Sequence, residues 1–151
     1  MKRVLVTGMS GTGKSTVIAA LADRGYKALD TDYGWCTTAH DGEWLWHEEA
    51  VDQLLTTEDA NVLFFAGCAS NQGKFRSRFD HVVLLSAPLD VMIERLRTRV
   101  NNPFGKTPEE LDRIIDDLAQ VEPLLRASST IEINTARSLT KVVDELVRLA
   151  E

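Results

Sequence analysis

The chain predicts an α/β fold in which a mainly parallel sheet is covered by helices on both faces. Five runs rich in aliphatic and β-branched residues, at 3–6, 27–29, 61–66, 81–86 and 130–133, alternate with segments of helical periodicity. That alternation favours parallel strands joined by crossover helices. The 151 residues, 44% of them hydrophobic, suit one domain over 1–151 able to bury about two-thirds of its extended surface. In sheets of this kind ligands sit at the carboxyl ends of the strands, and the candidate residues below follow strands or lie on the next helix.

The first run, Val4-Leu5-Val6, leads directly into Gly8-Met9-Ser10-Gly11-Thr12-Gly13-Lys14-Ser15, after which Val17, Ile18 and Leu21 share one face of a helix. This is G-x-x-x-x-G-K-[ST], a P-loop, in the strand–loop–helix setting the motif requires. A phosphate chain carries several negative charges, so its site needs many converging donors. Backbone N–H groups of a tight loop and the positive end of the following helix supply them. Gly8, Gly11 and Gly13 let the chain approach the oxygens closely. Lys14 adds a mobile positive charge, Ser15 is placed for Mg²⁺, and Ser10, Thr12 and Thr16 complete the phosphate-binding stretch. Nucleotide binding follows.

The second run ends Leu29-Asp30-Thr31-Asp32-Tyr33. If it stays extended, Asp30 and Asp32 project to the same side, towards the phosphate loop. Phosphoryl transfer to a hydroxyl needs a positioned base and a metal ion held through Ser15 and a carboxylate. Asp30 suits the metal with Ser15, Asp32 suits the base, and capping of a turn is the alternative for either. The third run ends Ala66-Gly67-Cys68 without the aspartate of a Walker B strand, which weakens a hydrolase or motor reading. It also moves the metal duty onto the aspartate pair.

The phosphoryl acceptor is expected against about 33–58, where Tyr33, Trp35 and Trp44 offer aromatic walls. Packing of the helix containing Val51, Leu54 and Leu55 is an equal alternative for any one tryptophan. No arginine occurs between Tyr26 and Phe75, whereas a nucleoside monophosphate would call for guanidinium groups there. An uncharged or cationic acceptor is favoured.

Further along, Leu89, Met92, Ile93, Leu96 and Val100 fall on one face of a helix over 88–100, leaving Arg95 and Arg99 as i, i+4 neighbours on another. A turn-rich stretch, Asn101-Asn102-Pro103-Phe104-Gly105-Lys106, breaks that helix. Thr107-Pro108-Glu109-Glu110 reads as a capping box opening a helix with Leu111, Ile114, Ile115 and Leu118 towards the core. Pro123 is expected to end or kink it. From about Leu139, helical spacing of Leu139, Val142, Val143, Leu146, Val147 and Ala150 predicts a last core helix.

Charge and cysteines bound the partners. A net charge of −6 and a pI near 5.1 give no general attraction to nucleic acid or an anionic membrane. No apolar segment is long enough to span a bilayer, and the N-terminal apolar stretch stops too soon for a signal peptide. Cys36 and Cys68 match no metal or redox spacing, so a cytoplasmic location with free thiols is expected.

The P-loop, the Leu-Asp-Thr-Asp pair and Met92-Ile93-Glu94-Arg95-Leu96-Arg97-Thr98-Arg99 before the Asn-Pro-Phe-Gly-Lys turn resemble the small P-loop kinases related to shikimate kinase, gluconate kinase and adenylate kinase. The resemblance implies a P-loop NTPase fold with a five-stranded parallel sheet and a short lid at about 95–113 that closes over ATP. It implies that Arg95 stacks on adenine and that Arg99 contacts the phosphates as a catalytic group. It implies that Asn134, Thr135 and Ala136, in the stretch Asn134-Thr135-Ala136-Arg137, form the adenine-edge loop. Arg76, with Lys74 and Arg78, is similar to the basic segment that holds an acidic sugar in gluconate kinase. The expected activity is ATP- and Mg²⁺-dependent transfer of the γ-phosphate to a hydroxyl of a small metabolite, by a monomer or homodimer. A nucleoside monophosphate kinase is one alternative, and a nucleotide-binding regulatory protein or slow NTPase is another.

Overall fold

The computed structural model describes residues 1–32, 34–98 and 106–151. Strands β1 (Lys2–Thr7), β2 (Lys27–Asp30), β5 (Val62–Ala66), β6 (His81–Ser86) and β7 (Ile131–Asn134) form one five-stranded sheet in the order β2-β5-β1-β6-β7. Every neighbouring pair in it is parallel. All five correspond to the predicted runs, with no end shifted by more than one residue.

Parallel strands buried on both faces must be apolar at successive positions, and these are. Val4, Val6, Phe64, Ala66, Val83 and Leu85 pack on one face beneath α1 (Lys14–Asp23) and α5 (Leu139–Ala150), through Val17, Ile18, Leu21, Val142, Val143 and Leu146. Leu5, Leu63, Phe65 and Val82 point the other way, against Val51, Leu54 and Leu55 of α2 (Glu48–Thr56). A smaller group, Met9, Leu84, Met92 and Leu125, seats α3 (Leu89–Thr98) and α4 (Pro108–Ser128) beside the phosphate loop.

Between β2 and α2 the chain forms an antiparallel hairpin that the sequence reading lacks, β3 (Cys36–Thr38) and β4 (Trp44–Trp46), paired Cys36 with Trp46 and Thr38 with Trp44. Its turn carries Gly42 at φ 85°, a left-handed conformation that suits glycine. Asn71, just before a 3₁₀ helix over Gln72–Arg78, pins the hairpin: its Oδ1 accepts from the Trp46 N–H at 2.9 Å and its Nδ2 donates to the Trp46 carbonyl at 3.1 Å. The side chain thus acts as a short extra strand.

Three expectations need correction. Of the two outcomes expected at Pro123, an end or a kink, the end does not occur: α4 runs on to Ser128, because Leu125, 7% exposed, still packs into the cluster that seats the helix. Ile115, Leu89 and Leu139, expected on core faces, are 37–41% exposed, since each lies at the edge of its helix's apolar stripe. The second strand stops at Asp30, and Thr31 and Asp32 form a turn in which the Asp30 Oδ1 accepts the Asp32 N–H at 3.1 Å. This local side-chain bond competes with extension, so the aspartates do not sit i, i+2 along one strand. The capping box holds: Thr107 Oγ1 accepts from the Glu110 N–H at 3.2 Å, with Pro108 in the first turn.

Candidate active site

At the carboxyl end of β1 the chain turns through Gly8–Gly13 into α1. A Cβ at Gly8 would lie 2.5 Å from the Leu85 carbonyl oxygen, and one at Gly11, whose φ is 86°, would meet the Met92 carbonyl at 3.0 Å. The loop is therefore pressed against β6 and α3, and only glycine fits at both positions. Thr12, fully buried, closes the loop from within by donating its hydroxyl to the Met9 carbonyl at 2.8 Å. No side chain caps α1 and no acidic residue occupies its first turn, which leaves the positive end of its dipole to whatever enters the loop.

The loop borders a cleft of about 370 Å³. Ser10, Gly11, Gly13, Lys14, Ser15 and Thr16 line its floor, Asp32 one side, and Arg95 and Thr135 another. The Lys14 ammonium donates to the carbonyls of Gly8 and Met9 at 2.6 and 3.1 Å. Arg95 donates through Nη1 to the Thr135 hydroxyl at 2.8 Å and to the Gly11 carbonyl at 3.3 Å, and through Nη2 to the Thr135 carbonyl at 2.8 Å. Burial lowers the pKa of this guanidinium without discharging it. Among the described residues neither cation has a carboxylate within ion-pairing distance. Two positive charges thus face one cleft, held only by neutral oxygens.

Opposite them, Ser15 donates its hydroxyl to Asp30 Oδ2 at 2.5 Å, and the other oxygen of that carboxylate carries the Asp32 N–H. A hydroxyl and a carboxylate at the foot of a phosphate loop are hard oxygen donors of the kind that would suit Mg²⁺. Below this turn, Thr31 is fully buried and its Oγ1 accepts from the Trp46 indole N–H at 3.1 Å. Cys68 follows β5 nearby, where burial raises its thiol pKa and the Lys14 charge partly opposes that. Cys36 bonds to Thr31 and is pushed up to about 11, mainly by burial. Both cysteines are free and stay protonated thiols at neutral pH.

The remaining predicted residues lie further out. The Ala136 N–H is held by the Asn134 side chain at 2.8 Å, so Asn134 and Ala136 shape the loop after β7 while Thr135 reaches the cleft. Trp35 packs edge-on against Phe65, Trp44 stands on the hairpin 36% exposed, and Trp46 is core. Arg76 donates Nε to the Ser128 carbonyl at 2.6 Å, at the end of α4. Tyr33 and Arg99 lie outside the described residues. Arg137, the last residue of the expected adenine-edge stretch, also lines the cleft, as do Thr98, Leu139 and Val142, which the sequence does not single out. Leu139 and Val142 carry only a helix-packing signal.

Residues 4–116 match the family described as AAA domain. Over 147 residues the chain is 31% identical to a protein of Archaeoglobus fulgidus named "Putative adenylate kinase", covering 93% of this chain and 78% of that one. It is 29% identical over 164 aligned positions to the shikimate kinase of Rhodopseudomonas palustris, covering 95% and 78%. The shikimate kinase of Acinetobacter baumannii, solved in complex with shikimate, superposes with a TM-score of 0.72 over 99% of this chain and 92% of that one, at 21% identity, a likeness of fold. Its phosphate loop, its sheet order and these relatives together place the chain in the AAA domain family, as a P-loop kinase domain.

Proposed function

We propose that the protein is a kinase that moves the γ-phosphate of ATP, with Mg²⁺, to a hydroxyl of a small uncharged or cationic metabolite. The observation that carries this is the pair of cations, Lys14 and Arg95, without a carboxylate in ion-pairing distance among the described residues, on a cleft floored by a helix N-terminus with no side-chain cap. Polyphosphate is the anion that such a surface complements. Lys14 leaves its two loop carbonyls to meet the β- and γ-phosphates, Ser15 and Asp30 hold the metal, and Asp32 orients the attacking hydroxyl and accepts its proton. Bound Mg²⁺ supplies neutralisation of the phosphate charge. Arg99 adds a further positive charge from the lid over about 95–113. Adenine lies along Arg95 and the Asn134-Thr135-Ala136 loop.

The acceptor class rests on the cations that follow β5. Lys74 is paired with Glu48 at 3.1 Å, Arg78 with Asp52 at 2.7 Å, and Arg76 with the Ser128 carbonyl. Each is occupied, so the acceptor region of about 33–58, with Tyr33, Trp35 and Trp44, takes a group without negative charge. Recruitment of Arg76 to an acidic acceptor would require breaking its contact to α4. A nucleoside monophosphate kinase is the second reading, favoured by the name of the 31% identical relative. The protein acts in the cytoplasm as a single domain, monomeric or as a homodimer.

Incubation with ATP, Mg²⁺ and a panel of polyols, amino sugars, sugar acids, nucleosides and nucleoside monophosphates, followed by mass spectrometry, tests the proposal. Gain of one phosphate on a neutral or cationic compound is expected. Transfer only to monophosphates would establish the second reading, and ATP hydrolysis with no transfer would overturn both.

A further inference from the structure

We infer that Thr135 is a positioning residue: it clasps Arg95 against the phosphate loop and so fixes the orientation of this wall of the nucleotide cleft. Thr135 follows β7 and is 5% exposed. Its N–H donates to the Ser86 carbonyl at 2.8 Å, which extends the β6–β7 ladder by one bond. Its hydroxyl donates to the Thr12 carbonyl at 2.7 Å and accepts from Arg95 Nη1, while its own carbonyl accepts from Nη2. One residue therefore receives both arms of the guanidinium and is itself tied to the loop that holds the phosphates.

A hydroxyl has a single hydrogen, and here it is directed at carbonyls, Thr12 at 2.7 Å with Ser86 next at 3.2 Å, which leaves lone pairs of the oxygen to accept from Arg95. The fork geometry then leaves the guanidinium one orientation. An arginine free in solution would lose its rotamer freedom on meeting a ligand, whereas this one has lost it on folding. The sequence reading counted Thr135 only as backbone beside the base. The side-chain bonds give it a different task, exercised through Arg95.

This inference rests on the nucleotide reading, and calorimetric titration with ATP and Mg²⁺ separates the two without knowledge of the acceptor. Thr135→Val keeps the shape and removes the hydroxyl, and is expected to weaken ATP binding by about ten-fold, the loss of one charge-assisted hydrogen bond. Thr135→Ser restores most of that affinity. Arg95→Lys, which keeps the charge but not the fork, weakens ATP by a similar factor. In an Arg95→Ala background Thr135→Val changes the dissociation constant by less than about two-fold, as a residue acting through Arg95 must. If Thr135→Val binds ATP like the wild type, or loses as much in the Arg95→Ala background, the clasp is refuted. Should Thr135→Val not fold, Arg95→Lys with unchanged affinity refutes it equally. Wild-type protein that gives no heat with ATP removes the nucleotide reading itself.

Discussion

Lys14 holds two carbonyls of its own loop, Gly8 and Met9, at 2.6 and 3.1 Å, which fixes its ammonium at the phosphate loop. Substituting Lys14→Ala removes the charge and should lower turnover by about two to four orders of magnitude, the range for lost electrostatic stabilisation. Asp32→Asn should lose a comparable factor of about two to four orders, for lost base function, while ATP affinity by calorimetry stays close to wild type. If Asp32→Asn abolishes ATP binding and Asp30→Asn leaves turnover intact, the division of labour between the aspartates is reversed. At this scale Gly8 through Thr16 were legible in the sequence, because the motif encodes backbone conformation and charge in one continuous stretch. Leu139 was not. Its place on the cleft arises because β7, which precedes its helix, ends beside β6, the neighbour of β1, a fact of strand order and not of local pattern.

The hairpin β3–β4 and helix α4 show how elements are held where propensity alone would let them go. Three-residue strands form a marginal pair, and this one persists because Asn71 bonds both backbone groups of Trp46 and the Ser70 N–H donates to the Trp44 carbonyl at 2.8 Å. Asn71→Ala leaves those partly buried groups unmatched, and a loss of about 1–3 kcal/mol in denaturant unfolding is expected. An unfolding free energy equal to the wild type would show that the clamp contributes nothing. In α4, Pro123 is exposed and interrupts the hydrogen-bond ladder of a helix that otherwise continues to Ser128. Pro123→Ala restores that bond without removing core contacts, and should raise stability by about 1 kcal/mol or more, read as a higher Tm. The hairpin escaped the sequence reading because its residues alternate too briefly to register, although Asp41-Gly42 marks the turn. Pro123 does not end the helix because a breaker is a local signal, whereas the burial of Leu125 is a tertiary one.

Across the whole molecule, α4 is tied back to the sheet by Arg126, whose Nε meets Glu132 of β7 at 2.7 Å and whose Nη2 meets Glu122 at 2.9 Å. Glu132 also accepts from the Ser86 hydroxyl at the end of β6. The Arg126 guanidinium, and secondarily Ser86, hold the Glu132 carboxyl below the usual carboxylate range. Its contribution is present above the unfolded-state value, about 4.3, and disappears as pH falls through the lower folded-state value. Wild-type Tm should therefore drop on acidification from about pH 6 to about pH 3, and Glu132→Gln, already without the charge, should show a shallower drop. Parallel curves for the two proteins would mean that the pair does not link α4 to the sheet energetically. The sequence by itself determined the five parallel strands, the helices between them and the phosphate loop, since each depends on the periodicity or chemistry of adjacent residues. Only the tertiary structure decided that Arg95 is held by Thr135, that Ser15 bonds directly to the Asp30 with which it was expected to act, and that Arg76 is occupied at the end of α4. Those partners are between fifteen and more than fifty positions apart, and chain separation carries no information about which hydrogen bonds a folded interior completes.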